Sequence, residues 1–243
     1  GYDCVVLAND GDTKRTLKLA RWIAPRQVIG YGVPGAAIDR RLDTPLTVDP
    51  RHRHSVEIAF ALLAPLGIQG TPPAMKLVPD PVILQRVRNL LDAEAGRVAG
   101  PTIAIHVSAR KLPQRWPTER FIALMRQLHV RCNARFMLFW APGSSDNPMH
   151  PGDDDKACEI VAATAGLPVL AYRTESLDEL IGGIAACDSM ICSDGGAMHV
   201  GAALGNGAER LGKIALHQRL AGLKRLPFVE EDGCARGVFA EGV

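Results

Sequence analysis

The sequence predicts an α/β protein built on doubly wound parallel sheets. Short apolar, often β-branched runs alternate with amphipathic segments along most of the chain. The amphipathic segments are long enough to serve as βαβ crossovers, which are right-handed and make the sheet between them parallel. With 47% hydrophobic residues, 243 residues can bury a sizeable core.

Each element has its own signal. Residues 4–7 read as a strand. Residues 13–23 read as a helix with Leu17, Leu19 and Ala20 on or near its apolar face, ended by Pro25. Residues 27–29 form a short strand, and the Gly- and Pro-rich stretch 30–54 reads as loop. Residues 55–66 read as a helix with Ser55 as N-cap and Gly67 just past its end. Residues 81–95 form a helix with Asp80 as N-cap and Pro81 at its first position. Residues 96–101 are a candidate boundary, giving domains over 1–97 and 98–243.

Beyond it the rhythm is regular. Strands are expected over 102–107, 135–139, 169–171 and 189–192. Helices are expected over 117–130, 153–165, 176–186 and 196–204. Asp153, Asp154 and Asp155 suit the positive end of the second of these, and read as a solvated face rather than a metal site. Ser176 and Glu179 form a capping box at the third. Residues 210–225 read as a basic amphipathic helix that closes the domain or touches a membrane surface, or as the product of a displaced reading frame.

Composition narrows the function classes. A net charge of +2, from 28 Lys+Arg against 26 Asp+Glu, is not the strongly basic balance of a general nucleic-acid binder. The longest apolar runs, such as residues 58–66, fall far short of the roughly 20 residues of a membrane span. None of the six cysteines forms a C-x-x-C pair, and they read as small buried hydrophobes in a reducing compartment. His52 and His54 have no partner cysteines for a zinc site.

In a doubly wound sheet, ligands bind outside the carboxyl ends of the strands. Two junctions there are rich in chemistry. The first runs from His106 through Ser108, Arg110, Lys111 and Arg115 to Trp116 and Pro117. Its cations gather near a helix N-terminus, which already favours an anion. The same residues also suit a solvated basic loop anchored by Trp116. The second runs from Ser193 and Asp194 through Gly195 and Gly196 to His199. Such a glycine turn lets a phosphate approach the following helix, or simply caps that helix with His199 in the core. Ser108 and His106 lack the G-x-S-x-G elbow of a nucleophile. No G-x-G-x-x-G dinucleotide fingerprint follows a predicted strand.

Taken together, the two junctions resemble glycosyltransferase family 9, the lipopolysaccharide heptosyltransferases. Arg115-Trp116-Pro117 with Glu119-Arg120-Phe121 matches the first family motif. Asp194-Gly195-Gly196-Ala197-Met198-His199 matches the second, and Ala202-Ala203 continues it. The match is good over residues 100–206 and weaker over 1–95. It implies a GT-B fold of two Rossmann-like domains, with the N-terminal acceptor-side domain incomplete and the C-terminal domain holding a nucleotide-sugar. It implies inverting, metal-independent transfer of a heptose from an ADP-heptose-like donor to a lipid-linked saccharide acceptor of the lipopolysaccharide core. It implies a cytoplasmic protein, at the inner face of the inner membrane, that uses no cofactor. Arg115 is then expected at the diphosphate with Ser108 in the same turn, and Asp194, Gly195, Gly196 and His199 at the nucleotide-sugar.

Gly195 stands where the family has Ser or Thr. The family's presumed base, an aspartate in a Gly-Asp turn, belongs to a segment ahead of the one that aligns with Gly1, so no catalytic base is assigned. Two alternatives stay open: a degenerate nucleotide-binding relative without catalysis, and another GT-B enzyme such as a nucleotide-sugar epimerase.

Overall fold

The computed structural model describes residues 1–8, 13–32, 39–47, 55–111, 114–147, 151–193, 195–205, 208–211 and 214–217. The chain divides into two compact units, Gly1–Ala74 and Met75–Val243.

The first unit holds a parallel three-stranded sheet in the order β1 (Cys4–Leu7), β2 (Gln27–Tyr31), β3 (Thr44–Leu46). Helix α1 (Thr13–Ile23) connects β1 to β2, and its Leu17 and Ala20 pack with Leu7, Val28 and Leu42. Leu19, expected near this apolar face, is exposed instead, because its position turns it away from the sheet. Strand β3 lies inside the stretch read as loop. Its three residues are too few to show a period, and the β2 edge recruits them. The helix expected over 55–66 is split into α2 (Ser55–Ala61) and a 3-10 turn (Ala64–Leu66). Pro65 has no N–H to give to the Ala61 carbonyl, so the α-helix cannot continue through it. Gly67, at φ +80°, closes the turn in the left-handed region.

The second unit is a six-stranded sheet in the order β6-β5-β4-β7-β9-β8. Its parallel part is β4 (Thr102–His106), β5 (Arg135–Phe139), β6 (Val169–Ala171) and β7 (Ser189–Ser193). Helices cover both faces. Phe121, Met125 and Leu128 of α4 (Thr118–Cys132) and Ile160 of α5 (Asp154–Ala163) pack on Ile103, Ile105, Phe136 and Leu138. The other face is covered by α3 (Pro81–Glu94), α6 (Leu177–Ala185) and α7 (Gly196–Ala203). Their Val87, Leu91, Ile184 and Ala197 pack on Ala104, Met137, Phe139 and Met190.

The helix starts behave as their sequences require. Asp80 accepts hydrogen bonds from the amides of Val82 (2.7 Å) and Ile83 (3.2 Å). Ser176 accepts from the Glu179 amide, while Glu179 accepts from the Glu175 amide.

Two expectations are corrected. The boundary falls between Ala74 and Met75 rather than at 97/98, because α3 buries Val87 and Leu91 in the core of the second unit. The basic amphipathic helix over 210–225 does not form where the chain is described. Strands β8 (Ala208–Leu211) and β9 (Ile214–His217) pair antiparallel, and β9 pairs antiparallel with β7. The open edge of β7 offers a ladder of backbone groups that a helix could not satisfy. The sheet is therefore mixed. Residues 212–213 and 218–225 of that expectation lie outside the described residues.

Candidate functional site

Strand order reverses at β4. The next strand, β5, lies on one side of it and β7 on the other. In open α/β sheets such a reversal leaves a crevice at the carboxyl ends of the two diverging strands. A cleft of about 510 Å³ lies there, lined by residues of both sequence-predicted junctions: His106, Ser108, Arg110, Lys111, Gly195 and Gly196. Ala109, Gln114, Pro151 and, just past β5, Ala141 and Pro142 complete its wall.

Ser108 is buried, and its Oγ accepts a hydrogen bond from the Ala141 amide (2.8 Å). The hydroxyl thus ties the end of β4 to the chain leaving β5. Gly195 and Gly196 bring the backbone of the α7 N-terminus to the cleft wall, and Gly195, the N-cap, has no side chain to cap the helix. His199 is exposed, in the first turn of α7, rather than in the core. Asp194 lies outside the described residues.

Arg115 stands apart from the cleft lining. Its Nε donates to the Ala109 carbonyl (2.8 Å), closing the basic loop on itself, and its Nη1 donates to Asp153 Oδ1 (3.0 Å). Asp153 is the N-cap of α5 and is buried, so the expectation of a solvated aspartate face is corrected. Asp154 also has a partner, accepting from Trp140 Nε1 (2.7 Å), which holds its carboxyl below the usual range. Only Asp155 of the three is exposed. Neighbouring identical charges hid this division, because dipole complementarity predicts the same three residues whether or not they are paired. The two buried guanidinium and carboxylate atoms left over, Arg115 Nη2 and Asp153 Oδ2, have no hydrogen-bond partner among the described residues.

Two further residues shape the site. His106 lines the cleft with its Nδ1 shut off from solvent, and burial pushes its imidazole down to about 4, so it is neutral near pH 7. Lys156 of α5 donates to the carbonyls of Trp116 (2.7 Å) and Val107 (3.3 Å) and stands 5.0 Å from the centre of the Phe121 ring. No motif marks it, since a lysine in an amphipathic helix ordinarily reads as solvated. Trp116 packs edge-on to Phe121 at 4.9 Å between ring centres.

Among the described residues no three His, Cys, Asp or Glu side chains gather as metal ligands. No helix among them is long and apolar enough to cross a membrane. The five described cysteines form no disulfide with one another, and only Cys187 and Cys192 are buried; Cys158, on an outward position of α5, is exposed.

The arrangement can receive an anion: two loop cations, Arg110 and Lys111, share a cleft with a glycine turn at a helix N-terminus. Comparisons with known proteins bear on the family and the fold. The sequence profile of glycosyltransferase family 9 (heptosyltransferase) matches residues 2–208. No curated protein sequence matched the chain.

Solved structures share the fold. The family 9 glycosyltransferase from Veillonella parvula DSM 2008 superposes with a TM-score of 0.62 at 20% identity, over 84% of this chain and 55% of that one. The E. coli heptosyltransferase WaaC with ADP gives 0.58 at 18% identity, over 84% and 60%. WaaC with ADP-2-deoxy-2-fluoro heptose gives 0.53 at 20% identity, over 84% and 59%. The chain spans less than two thirds of the length of these structures. With the family profile matching most of its length, and the GT-B-type α/β fold shared with solved heptosyltransferases, the chain belongs to glycosyltransferase family 9.

Proposed function

We propose that the chain belongs to a glycosyltransferase that moves a heptose or a related sugar from a nucleotide-diphosphate donor to a lipopolysaccharide core acceptor. The donor binds in the cleft at the carboxyl ends of β4 and β7. One observation carries this reading: the cleft brings Arg110 and Lys111 together with the Gly195–Gly196 start of α7. That the E. coli relative was solved with ADP and with a fluorinated ADP-heptose supports a donor of this class.

In the proposed reaction an acceptor hydroxyl attacks the anomeric carbon from the face opposite the leaving group. The new glycosidic bond forms with inversion, the acceptor hydroxyl gives up its proton to a general base that is not assigned among these residues, and the nucleoside diphosphate departs with the bonding electron pair. Its developing charge needs stabilisation by fixed positive groups. Arg110, Lys111 and the backbone amides at the head of α7 supply it without a bound metal. His106, neutral at pH 7, adds no charge there. Arg115, held by Asp153, supports the loop from behind. The acceptor places the reaction at the cytoplasmic face of the inner membrane.

Calorimetric titration of the chain with ADP and with ADP-heptose tests the reading. Binding of both is expected, with release of ADP in the presence of a core saccharide acceptor. Failure of either ligand to bind at millimolar concentration would sink it.

A further inference from the structure

Lys156 is an unusual lysine. It is half-buried, in the first turn of α5, and its hydrogen bonds go to two neutral backbone carbonyls. Burial pushes its pKa down, against the opposing pull of the Asp153, Glu119 and Glu159 carboxylates and with the push of the Arg115 guanidinium. Desolvating an ammonium group is costly, and charge-assisted hydrogen bonds are what offset it. The two acceptors are informative. Val107 and Trp116 are the two ends of the loop that carries Arg110 and Lys111 to the cleft. One ammonium therefore ties the beginning of that loop to its end, and the Phe121 ring beneath it fixes the ammonium from a third side.

We propose that Lys156 is a positioning residue for the diphosphate of the donor. It holds Val107 and Trp116 together and so presents Arg110 and Lys111 to the cleft. It does not line the cleft itself, so it acts through the loop and not by contact. Without the clamp the loop must order as the ligand binds, and that entropy weakens binding of the charged part of the ligand. This inference rests on the donor-site reading given above.

The test is calorimetry of ADP and of adenosine with the intact chain and with Lys156→Met and Lys156→Arg, at low salt and at about 0.5 M KCl, where charge acting at a distance is screened. Lys156→Met should weaken ADP roughly tenfold, as expected for losing a charge-assisted bond. The deficit should persist at high salt, adenosine should bind as before, and Lys156→Arg should recover most of the loss. Should Lys156→Met fail to fold, Lys156→Gln, which keeps one donor, should show a smaller ADP deficit of the same salt-insensitive kind.

Unchanged ADP affinity in the variants overturns the proposal. So does a deficit that vanishes in salt, which assigns the effect to charge alone, or an equal loss of adenosine, which assigns it to general damage. If the unaltered chain binds no ADP, the donor-site reading fails and this role with it. If the unaltered chain binds ADP and the variants match it, only the positioning role fails.

Discussion

Arg115 Nη1 lies 3.0 Å from Asp153 Oδ1, with the two side chains 20% and 3% exposed. The bond joins the basic loop after β4 to the N-cap of α5. A buried ion pair adds little net stability over an apolar replacement, but removing one partner strands the other charge. Asp153→Ala should therefore cost about 3 kcal/mol of unfolding free energy by urea titration. The Asp153→Ala, Arg115→Ala double variant should be less destabilised than the sum of the singles. Additive losses would show that the pair is not coupled.

Ser108→Ala should destabilise the fold whether or not a nucleotide is present. The variant leaves the Ala141 amide without its 2.8 Å acceptor in a partly buried setting, where the loss falls toward the lower end of the range for a buried donor. An orphaned buried donor costs about 1–3 kcal/mol. The loss should appear in chemical denaturation of the ligand-free chain. A variant that weakens nucleotide binding at unchanged stability would assign Ser108 to the ligand instead.

His106 gives a pH dependence of definite sign. Its imidazole takes a proton near 6.5 in the unfolded chain and only near 4 in the fold, because burial opposes the charge. Between these values the unfolded state binds more protons, so stability falls as pH falls. The contribution is fully present above about 6.5 and is lost progressively toward pH 4, by about 3 kcal/mol. His106→Gln should flatten the stability profile in this window and leave it unchanged at pH 8. An equal slope in the variant would assign the acid sensitivity to other groups.

The α/β rhythm was legible because each long element obeys one local rule. Periodicity marked α4, Pro81 and Asp80 marked the start of α3, and the capping box marked α6. Elements decided by tertiary pairing were not legible. Strand β3 exists because β2 offers an edge, and β8–β9 replaces the expected helix because β7 does. The site was legible as a pair of junctions, since the motif residues Ser108, Gly195 and Gly196 line one cleft. What sequence could not show is which charges face each other. Asp153 and Arg115 are 38 residues apart, and nothing local distinguishes a paired aspartate from its solvated neighbour Asp155.

Gly152 should not tolerate even a methyl group. A Cβ there would run into the Gly143 carbonyl oxygen and carbon, both backbone atoms that cannot swing aside. The close approach lets the Gly152 amide donate to the Ser144 carbonyl (2.8 Å) and sets Asp153 at the head of α5. Gly152→Ala should cost about 1–3 kcal/mol, the usual range for overpacking. It should also weaken ADP binding by displacing Asp153 from Arg115. Wild-type stability in thermal unfolding would contradict the close approach.

The position of α3 predicts where the chain can be cut. Val87 and Leu91 are 0% and 1% exposed, packed on the β4–β7 face with Ala104, Met137 and Met190. Burying such a side chain is worth about 1.5–3 kcal/mol. Losing both removes about 3–6 kcal/mol, comparable to the roughly 5–15 kcal/mol that holds an ordinary domain folded. Arg135 adds polar ties to the same segment, donating to Asp92 and to the Gly96 carbonyl. A fragment over 75–243 should therefore unfold cooperatively, whereas a fragment over 98–243 should bind hydrophobic dyes and lack a cooperative transition. Leu91→Ala in the intact chain, expected to cost about 2–5 kcal/mol, checks the same packing without a cut. Cooperative unfolding of the 98–243 fragment would return α3 to the first unit.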